Sequence, residues 1–284
     1  MTRYLVTGAA GMLGTDVVTA LAGRDVTALA RTDLDITDAA AVAEAVEGFD
    51  VVINTAAYTR VDDAETDEAA ARAINATGVG NLATAAATHG ATLVQYSTDY
   101  VFDGDGTSPY GEYDAIGPRS AYGRTKAEGE RLALEANGER THIIRTAWLY
   151  GEHGGNFAAT MLRLAAERDT LTVVSDQVGQ PTWTRDLATR TVALLDSGTA
   201  EGIWHGTNSG QASWFDFARA IFENAGLDPE RVTPTDASQF VRPAPRPAYS
   251  VLGHDGWADA GLTPLRDWRD ALREAFATGA LGAS

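Results

Sequence analysis

The stretch Tyr4-Leu5-Val6-Thr7-Gly8-Ala9-Ala10-Gly11-Met12-Leu13-Gly14 decides the fold. A short apolar run ends at a glycine, and a helical pattern follows from about Gly11 to Leu21. Glycines at such a junction permit a tight turn and let a pyrophosphate approach the backbone. The helix N-terminus behind them offers amide donors and a partial positive charge. A glycine triplet is by itself only a tight strand-to-helix turn. Its place in the first strand–helix unit is what a dinucleotide site requires. The glycine spacing differs from the Gly-x-Gly-x-x-Gly of many dehydrogenases.

Outward from this turn, strand and helix patterns alternate. Val26–Leu29 and Val51–Ile53 read as strands separated by an alanine-rich helix over about 38–47. A helix over about 67–89 leads to the strand pattern Thr92–Tyr96, and a helix through Tyr122 and Lys126 leads to His142–Arg145. Strands alternating with helices predict an α/β, doubly wound (Rossmann-type) parallel sheet covered on both faces, which suits near-continuous apolar strands. The second half is less regular. Helical patterns recur over 157–167, 184–195, 213–224 and 265–276, prolines cluster at Pro243, Pro245 and Pro247, and no internal repeat is present. The expected organisation is a dinucleotide-binding domain over 1–150 that carries the Tyr122 helix. Residues 151–284 form mainly a smaller C-terminal substrate-binding lobe, with segments returning to the first domain.

The 284 residues suit one large domain with a smaller lobe. No stretch reaches the ~18 apolar residues of a membrane span, and the chain enters an apolar strand almost at once, without a leader pattern. A cytoplasmic location is expected. There is no cysteine, which excludes disulfides, thiolate nucleophiles and cysteine metal sites. A net charge of −17 argues against binding to nucleic acid or an anionic membrane. Abundant Asp, Glu and Arg with almost no lysine predicts a halophilic protein, because at about 1 M salt charge repulsion reaches only a few Å.

Lys126 is the chain's single lysine, four residues after Tyr122. On a helix the two side chains share one face, one turn apart. Arginine supplies surface charge equally well, so a lone retained lysine marks a position that needs a compact ammonium. An ammonium beside a phenol is expected to lower its pKa and make it a proton donor near neutral pH.

Other candidates lie at the ends of the expected strands. After the second strand, Arg31 stands where many dinucleotide folds carry a ribose-binding acid, and it would suit a 2′-phosphate; Asp35 and Ile36 are within reach of an adenine. Asn54–Thr59 follow the third strand with small residues that leave room for a cofactor. Thr98, after the fourth, offers a hydroxyl to a substrate oxygen beside Tyr122, or caps a turn. Gln177, Gln180 and Thr182 suit either a nucleotide or a structural turn, and Arg246 either a pyrophosphate or loop carbonyls. The run Asp62, Asp63, Glu65, Asp67 and Glu68 reads as a solvated helix start. The five histidines show no metal-ligand spacing, so no metal is expected.

The glycine turn, the strand-end threonine and Tyr-x-x-x-Lys together resemble the extended short-chain dehydrogenase/reductases. Within them, NTAAYTRVDDAE (54–65), STDYVFDG (97–104), RTAWLYG (145–151), Asn156-Phe157, DQVGQPT (176–182) and RPAYSVL (246–252) resemble the dTDP-4-dehydrorhamnose reductase family, over residues 1 to about 276. The resemblance implies NADPH-dependent reduction of the 4-keto group of dTDP-4-dehydro-β-L-rhamnose to dTDP-L-rhamnose, with NADH as a second cofactor candidate and a homodimer as the assembly. It implies Tyr122 as proton donor, Lys126 on the nicotinamide ribose and Thr98 on the keto oxygen. It places Gly8, Gly11, Met12, Leu13 and Gly14 at the pyrophosphate, and Asp35 and Ile36 at the adenine. Ala57, Tyr58, Thr59 and Tyr96 line the rest of the cofactor path, and Thr98, Asp99, Tyr122 and Trp148 meet the sugar nucleotide. Two other readings are a reductase of another nucleotide-linked 4-keto-6-deoxy-hexose and a non-catalytic NADP-binding subunit related to the regulator of methionine adenosyltransferase. Intact Thr98, Tyr122 and Lys126 speak against the latter. A dehydratase would place a glutamate after Asp99, where this chain has Tyr100.

Overall fold

The fold is that of a computed structural model describing residues 1–281. Tyr4–Thr7 are buried throughout, as a strand covered on both faces must be. They form β1 (Arg3–Thr7), followed by α1 (Met12–Ala20), β2 (Asp25–Leu29), α2 (Ala39–Val46) and β3 (Val51–Asn54). Next come α3 (Glu68–Arg72), α4 (Val79–His89), β4 (Thr92–Thr98), α5 (Ala121–Asn137) and β5 (Thr141–Thr146). Asp38 caps α2 by accepting the Ala40 and Ala41 amides, and Gly90 ends α4 in the left-handed conformation that glycine adopts without strain.

The sheet has six strands in the order Gly202–His205, β5, β4, β3, β1, β2, and every neighbouring pair is parallel. The strand Gly202–His205 escaped the sequence reading, because four residues between polar loops carry too little period to announce a strand. The chain's direction of travel reverses at β1, between β2 and β3. The crevice at the carboxyl ends of these strands is where such sheets bind ligands.

The helix expected over 67–89 is interrupted. Ala73–Gly78 form a π segment between α3 and α4. Its Asn75 side chain accepts the Tyr58 amide at 2.9 Å and donates to the Tyr58 carbonyl at 3.1 Å and Thr125 Oγ1 at 3.2 Å. α5 packs so closely on this segment that a Cβ at Gly129 would collide with the Asn75 carbonyl.

In the rest of the chain, α6 (Phe157–Glu167), α8 (Trp214–Asn224), α10 (Trp268–Ala277) and short strand pairs build a lobe, while α7 (Thr184–Ser197) and α9 (Asp255–Asp259) return to the sheet. Leu149–Tyr150 pairs with Thr182–Trp183, Leu171–Val174 with Val232–Thr235, and Val178–Gly179 with Ala212–Ser213. The last helix begins three residues later than its pattern suggested, at an Asp267 cap. Trp183, Phe217, Phe222 and Trp268 fill the lobe's core. α7 packs against α1 through Leu187, Val192 and Leu194, within the core that covers one face of the sheet.

Candidate active site

The dinucleotide crevice is floored by backbone. Gly8 has φ +71°, and a Cβ on it would sit 2.5 Å from the Ala56 amide nitrogen, so the turns that follow β1 and β3 approach as closely as glycine allows. Gly11 begins α1 with no side-chain cap and no acid in the first turn, which leaves the helix's first amides to a ligand. A cleft of about 440 Å³ runs over this floor, lined by Gly8, Gly11, Arg31, Asp35, Ile36 and Ala57 among others. Bonds from the Thr37 amide and hydroxyl, at 2.9 and 2.8 Å, hold the Asp35 carboxyl below the usual range, with Arg31 contributing. This donor set fits a dinucleotide: bare backbone at the pyrophosphate position and charged, exposed side chains at the adenosine end.

The side chains of several residues expected along the cofactor path point away from the crevice. The Leu13 side chain is buried in the core, Gly14 packs under the Gly8 carbonyl, and Met12 lies against Gly151. Tyr58 is buried against Ala64, Ala71 and Ala121, with Arg60 over its ring at 4.9 Å, while Thr59 is exposed beside it. The Tyr96 phenol points away from the crevice and bonds Thr191 Oγ1 at 2.7 Å within the core. Only its carbonyl faces the site.

Ser120 caps α5 by accepting the Gly123 amide at 3.1 Å. Gly123 lies directly under the Tyr100 carbonyl, where a Cβ would collide. The start of α5 is thereby pressed onto the turn after β4, and the Tyr122 ring meets the edge of Tyr100 at 5.7 Å and 78°. Thr98 Oγ1 lies beside the Tyr122 phenol and also caps this turn, accepting the Tyr100 amide at 3.2 Å. Of the two roles foreseen for Thr98, the turn cap is the one present.

The expected electrostatics of the pair are corrected by the structure. Lys126 is buried and donates to the Tyr96 carbonyl at 2.6 Å. Burial pushes Tyr122 up to about 12, the Thr98 hydroxyl working against that rise and the Asp99 charge adding to it. Burial also pushes Lys126 down to about 8, with Glu130 opposing. Desolvation outweighs pairing, so the phenol keeps its proton.

Asp99 is buried beside Thr98. It is 2% exposed and accepts a hydrogen bond from the Thr98 hydroxyl at 2.9 Å. The acidic run is likewise more than a solvated helix start. Glu65 accepts the Ala121 amide at 2.7 Å at the start of α5, and Glu68 pairs with Arg124 on the same helix at 2.6 Å. Asp62 accepts the Ala244 amide at 3.2 Å and Arg246 at 2.9 Å. Arg246 is therefore shared between Asp62 and the Ala244 carbonyl. The sequence reading also missed the buried pair of Glu130 and Arg145, joined at 2.9 and 2.8 Å, which ties α5 to β5. Glu130 stands four residues after Lys126 on the inward face of α5, and that spacing was the available signal.

Tyr100 also lines a second cleft of about 700 Å³, together with Phe157, Met161, Gln177, Trp214, Arg242 and Arg246 among others. Trp148 follows β5 in a turn at φ +47°, the one non-glycine residue with positive φ among those described. Its indole stacks on Trp214 at 3.5 Å and 9° and rests on Gly179, where a Cβ would come within 2.6 Å of it. Gln180 is structural, bonding both polar groups of Leu252 and the Thr207 hydroxyl; Thr182 bonds the Gln180 carbonyl. Among the described residues no cluster of three His, Asp or Glu is placed to hold a metal ion, and no helix is long and apolar enough to cross a membrane.

A doubly wound sheet with a backbone-floored crevice, and a phenol and a threonine hydroxyl at its edge, defines a dinucleotide-dependent oxidoreductase. Comparison with known proteins narrows the class: the chain belongs to the family described as RmlD substrate binding domain, matched over residues 2–280. It is 52% identical over 282 residues to a dTDP-4-dehydrorhamnose reductase of Streptomyces griseus, covering 96% of this chain and 93% of the relative. It is 49% identical over 278 residues to a dTDP-4-keto-6-deoxy-D-glucose reductase of Streptomyces niveus, covering 96% of each. The crystal structure of dTDP-4-dehydrorhamnose reductase from Bacillus anthracis in complex with NADP superposes with a TM-score of 0.94 at 37% identity, covering 98% of this chain and 100% of that one.

Proposed function

We propose that this chain reduces the 4-keto group of dTDP-4-dehydro-β-L-rhamnose to give dTDP-L-rhamnose, with NADPH as reductant. The observation that carries the reading is the meeting of Thr98 and Tyr122 beside Tyr100, between a glycine-floored crevice and an aromatic cleft. A bound nicotinamide supplies the hydride to carbon 4. Tyr122 holds its proton in the resting site, because burial raises its pKa. It gives that proton up as charge develops on the carbonyl oxygen, and the electron pair of the O–H bond stays on the phenolate. Thr98 orients the same oxygen. Lys126, anchored on the Tyr96 carbonyl, is placed to bind the nicotinamide ribose and to stabilise the phenolate.

Gly8, Gly11 and the amides of Met12 and Leu13 would hold the pyrophosphate, and Arg31 favours the 2′-phosphate of NADPH over NADH. In this reading residues 1–150 hold the dinucleotide, and residues 151–284 mainly hold the sugar nucleotide. The Trp148–Trp214 stack offers an apolar face to a deoxy-sugar and the arginines of the cleft face a diphosphate. A homodimer in the cytoplasm is part of the proposal. So is a high-salt habitat, supported by a charge of −17 and a single lysine. A second reading, reduction of another dTDP-linked 4-keto-6-deoxy-hexose, is favoured by the similarity to the Streptomyces niveus enzyme.

The deciding experiment follows NADPH and NADH oxidation with dTDP- and UDP-linked 4-keto sugars in high salt, with the product's configuration at carbon 4 assigned by NMR. Oxidation with the rhamnose precursor and an L-rhamno product supports the first reading. Turnover confined to a different keto-sugar supports the second, and no oxidation with any of them overturns both.

A further inference from the structure

Asp99 holds the strongest unused group in the molecule. Its Oδ1 accepts from Thr98 Oγ1 at 2.9 Å, while its Oδ2 is buried without a hydrogen-bond partner. Ser250, brought in by the C-terminal segment 246–252, lies against the same carboxyl, and its buried hydroxyl is also unpartnered. An unsatisfied oxygen facing an unsatisfied hydroxyl beneath a reacting site calls for an explanation.

The hydroxyl arithmetic of Thr98 supplies one. A hydroxyl has one proton and two lone pairs. The Tyr100 amide occupies one lone pair at 3.2 Å. With Asp99 ionised, the only proton of Thr98 points down at the carboxylate and cannot reach a ketone above it. With Asp99 neutral the bond reverses: the acid O–H donates into the second lone pair of Thr98, whose proton turns toward the site.

We propose that Asp99 is a positioning residue which, as the neutral acid, donates to Thr98 Oγ1 and aims the Thr98 proton at the keto oxygen of the bound sugar. The proposal rests on the reductase reading above. No bond to carbon forms or breaks in this step; one hydrogen bond changes direction. Burial brings the neutral form into the working range by pushing Asp99 up to about 6, with the nearby Ser250 and Thr98 hydroxyls and the Tyr100 amide opposing the rise. The titratable groups facing it are the phenols of Tyr100 and Tyr122, both raised by burial and both neutral at ordinary pH. Arg246 and Asp62 act on Tyr100 with opposite signs, and Lys126 is turned to the Tyr96 carbonyl.

The test compares kcat and KM from pH 5.5 to 8.5 for the wild-type chain, Asp99→Asn and Asp99→Ala, with NADPH and the keto-sugar that the wild type reduces. An asparagine amide can donate to Thr98 at any pH. Asp99→Asn is therefore expected to keep kcat within about threefold of the wild-type value at low pH and to lose the alkaline decline that the wild type shows. Asp99→Ala should lower kcat about 10- to 100-fold, with KM changed less than about threefold. Asn and wild type sharing one pH profile, or Asn falling as far as Ala, would overturn the proposal while leaving the reductase reading in place. A wild type inactive on every keto-sugar overturns the parent reading and this proposal together. Should the alanine variant fail to fold, as its thermal midpoint would show, the asparagine profile decides alone.

Discussion

The sheet half and the C-terminal lobe present their functional groups in different ways. In the sheet half, Gly8, Thr98 and Tyr122 sit at the ends of long regular elements, each pinned by close packing: Gly8 on the turn after β3, Gly123 under Tyr100, Gly129 on the π segment. In the lobe, the cleft is made from two- to four-residue strands, turns and stacked indoles that converge from positions far apart in the chain. Regular elements hold atoms to the tolerance that bond-making chemistry needs. An aromatic wall built on turns can change its contour without disturbing that chemistry. Chemistry in one region and selection in the other is the arrangement this difference favours.

The sharpest way to break that division is at Tyr122. Tyr122→Phe is expected to lower kcat about 10²- to 10⁴-fold while NADPH affinity, read by nucleotide fluorescence, stays near the wild-type value. Undiminished turnover would remove the phenol from the reaction. Next in size is the packing that positions it. Gly129→Ala puts a methyl into the Asn75 carbonyl, and a loss of about 1–3 kcal/mol of stability is expected from such overpacking, measured by urea denaturation. An unchanged midpoint would mean that α5 is not tightly seated.

In the lobe, Trp214→Ala removes the stack on Trp148, worth about 0.5–1.5 kcal/mol beyond lost area. KM for the keto-sugar should rise about tenfold while kcat at saturation changes little. A fall in kcat at constant KM would show the lobe taking part in the chemistry. The smallest effect lies at the seam. His205 ends the sixth strand of the sheet and bonds the Gly253 carbonyl at 2.9 Å. Burial first, then the charge of Arg145, pushes it down to about 3. The unfolded chain takes up a proton near pH 6.5 and the folded one does not, so the stability from neutral His205 is present above 6.5 and lost as pH falls. Asp99 contributes in the opposite sense, since the folded chain protonates it first. The difference between wild type and His205→Gln isolates the histidine: the variant's stability should fall less between pH 7 and 5.5, by about 1 kcal/mol. Parallel curves would exclude His205 as the source.

Most of the sheet half was legible because its signals are local. Apolar runs of strand length, a glycine turn before a helix and a tyrosine four residues before the only lysine can be read within a single window of sequence. The helices after residue 150 were legible for the same reason, apart from the five-residue α9, while the short strand pairs were not. Val232–Thr235 meets Leu171–Val174 across some sixty residues, and nothing within either segment names its partner.

What the sequence by itself determined is therefore the doubly wound sheet, the crevice at its first turn, and Thr98, Tyr122 and Lys126 as the candidate reacting set. What only the tertiary structure decided is the state of those groups: Lys126 on the Tyr96 carbonyl, Tyr122 keeping its proton, Asp99 hidden beneath Thr98, and Asp62 joined to Arg246. The reason is one of range. Backbone preference and periodicity act over a few residues, whereas desolvation and the choice of hydrogen-bond partner depend on atoms delivered by distant segments, which no local pattern encodes.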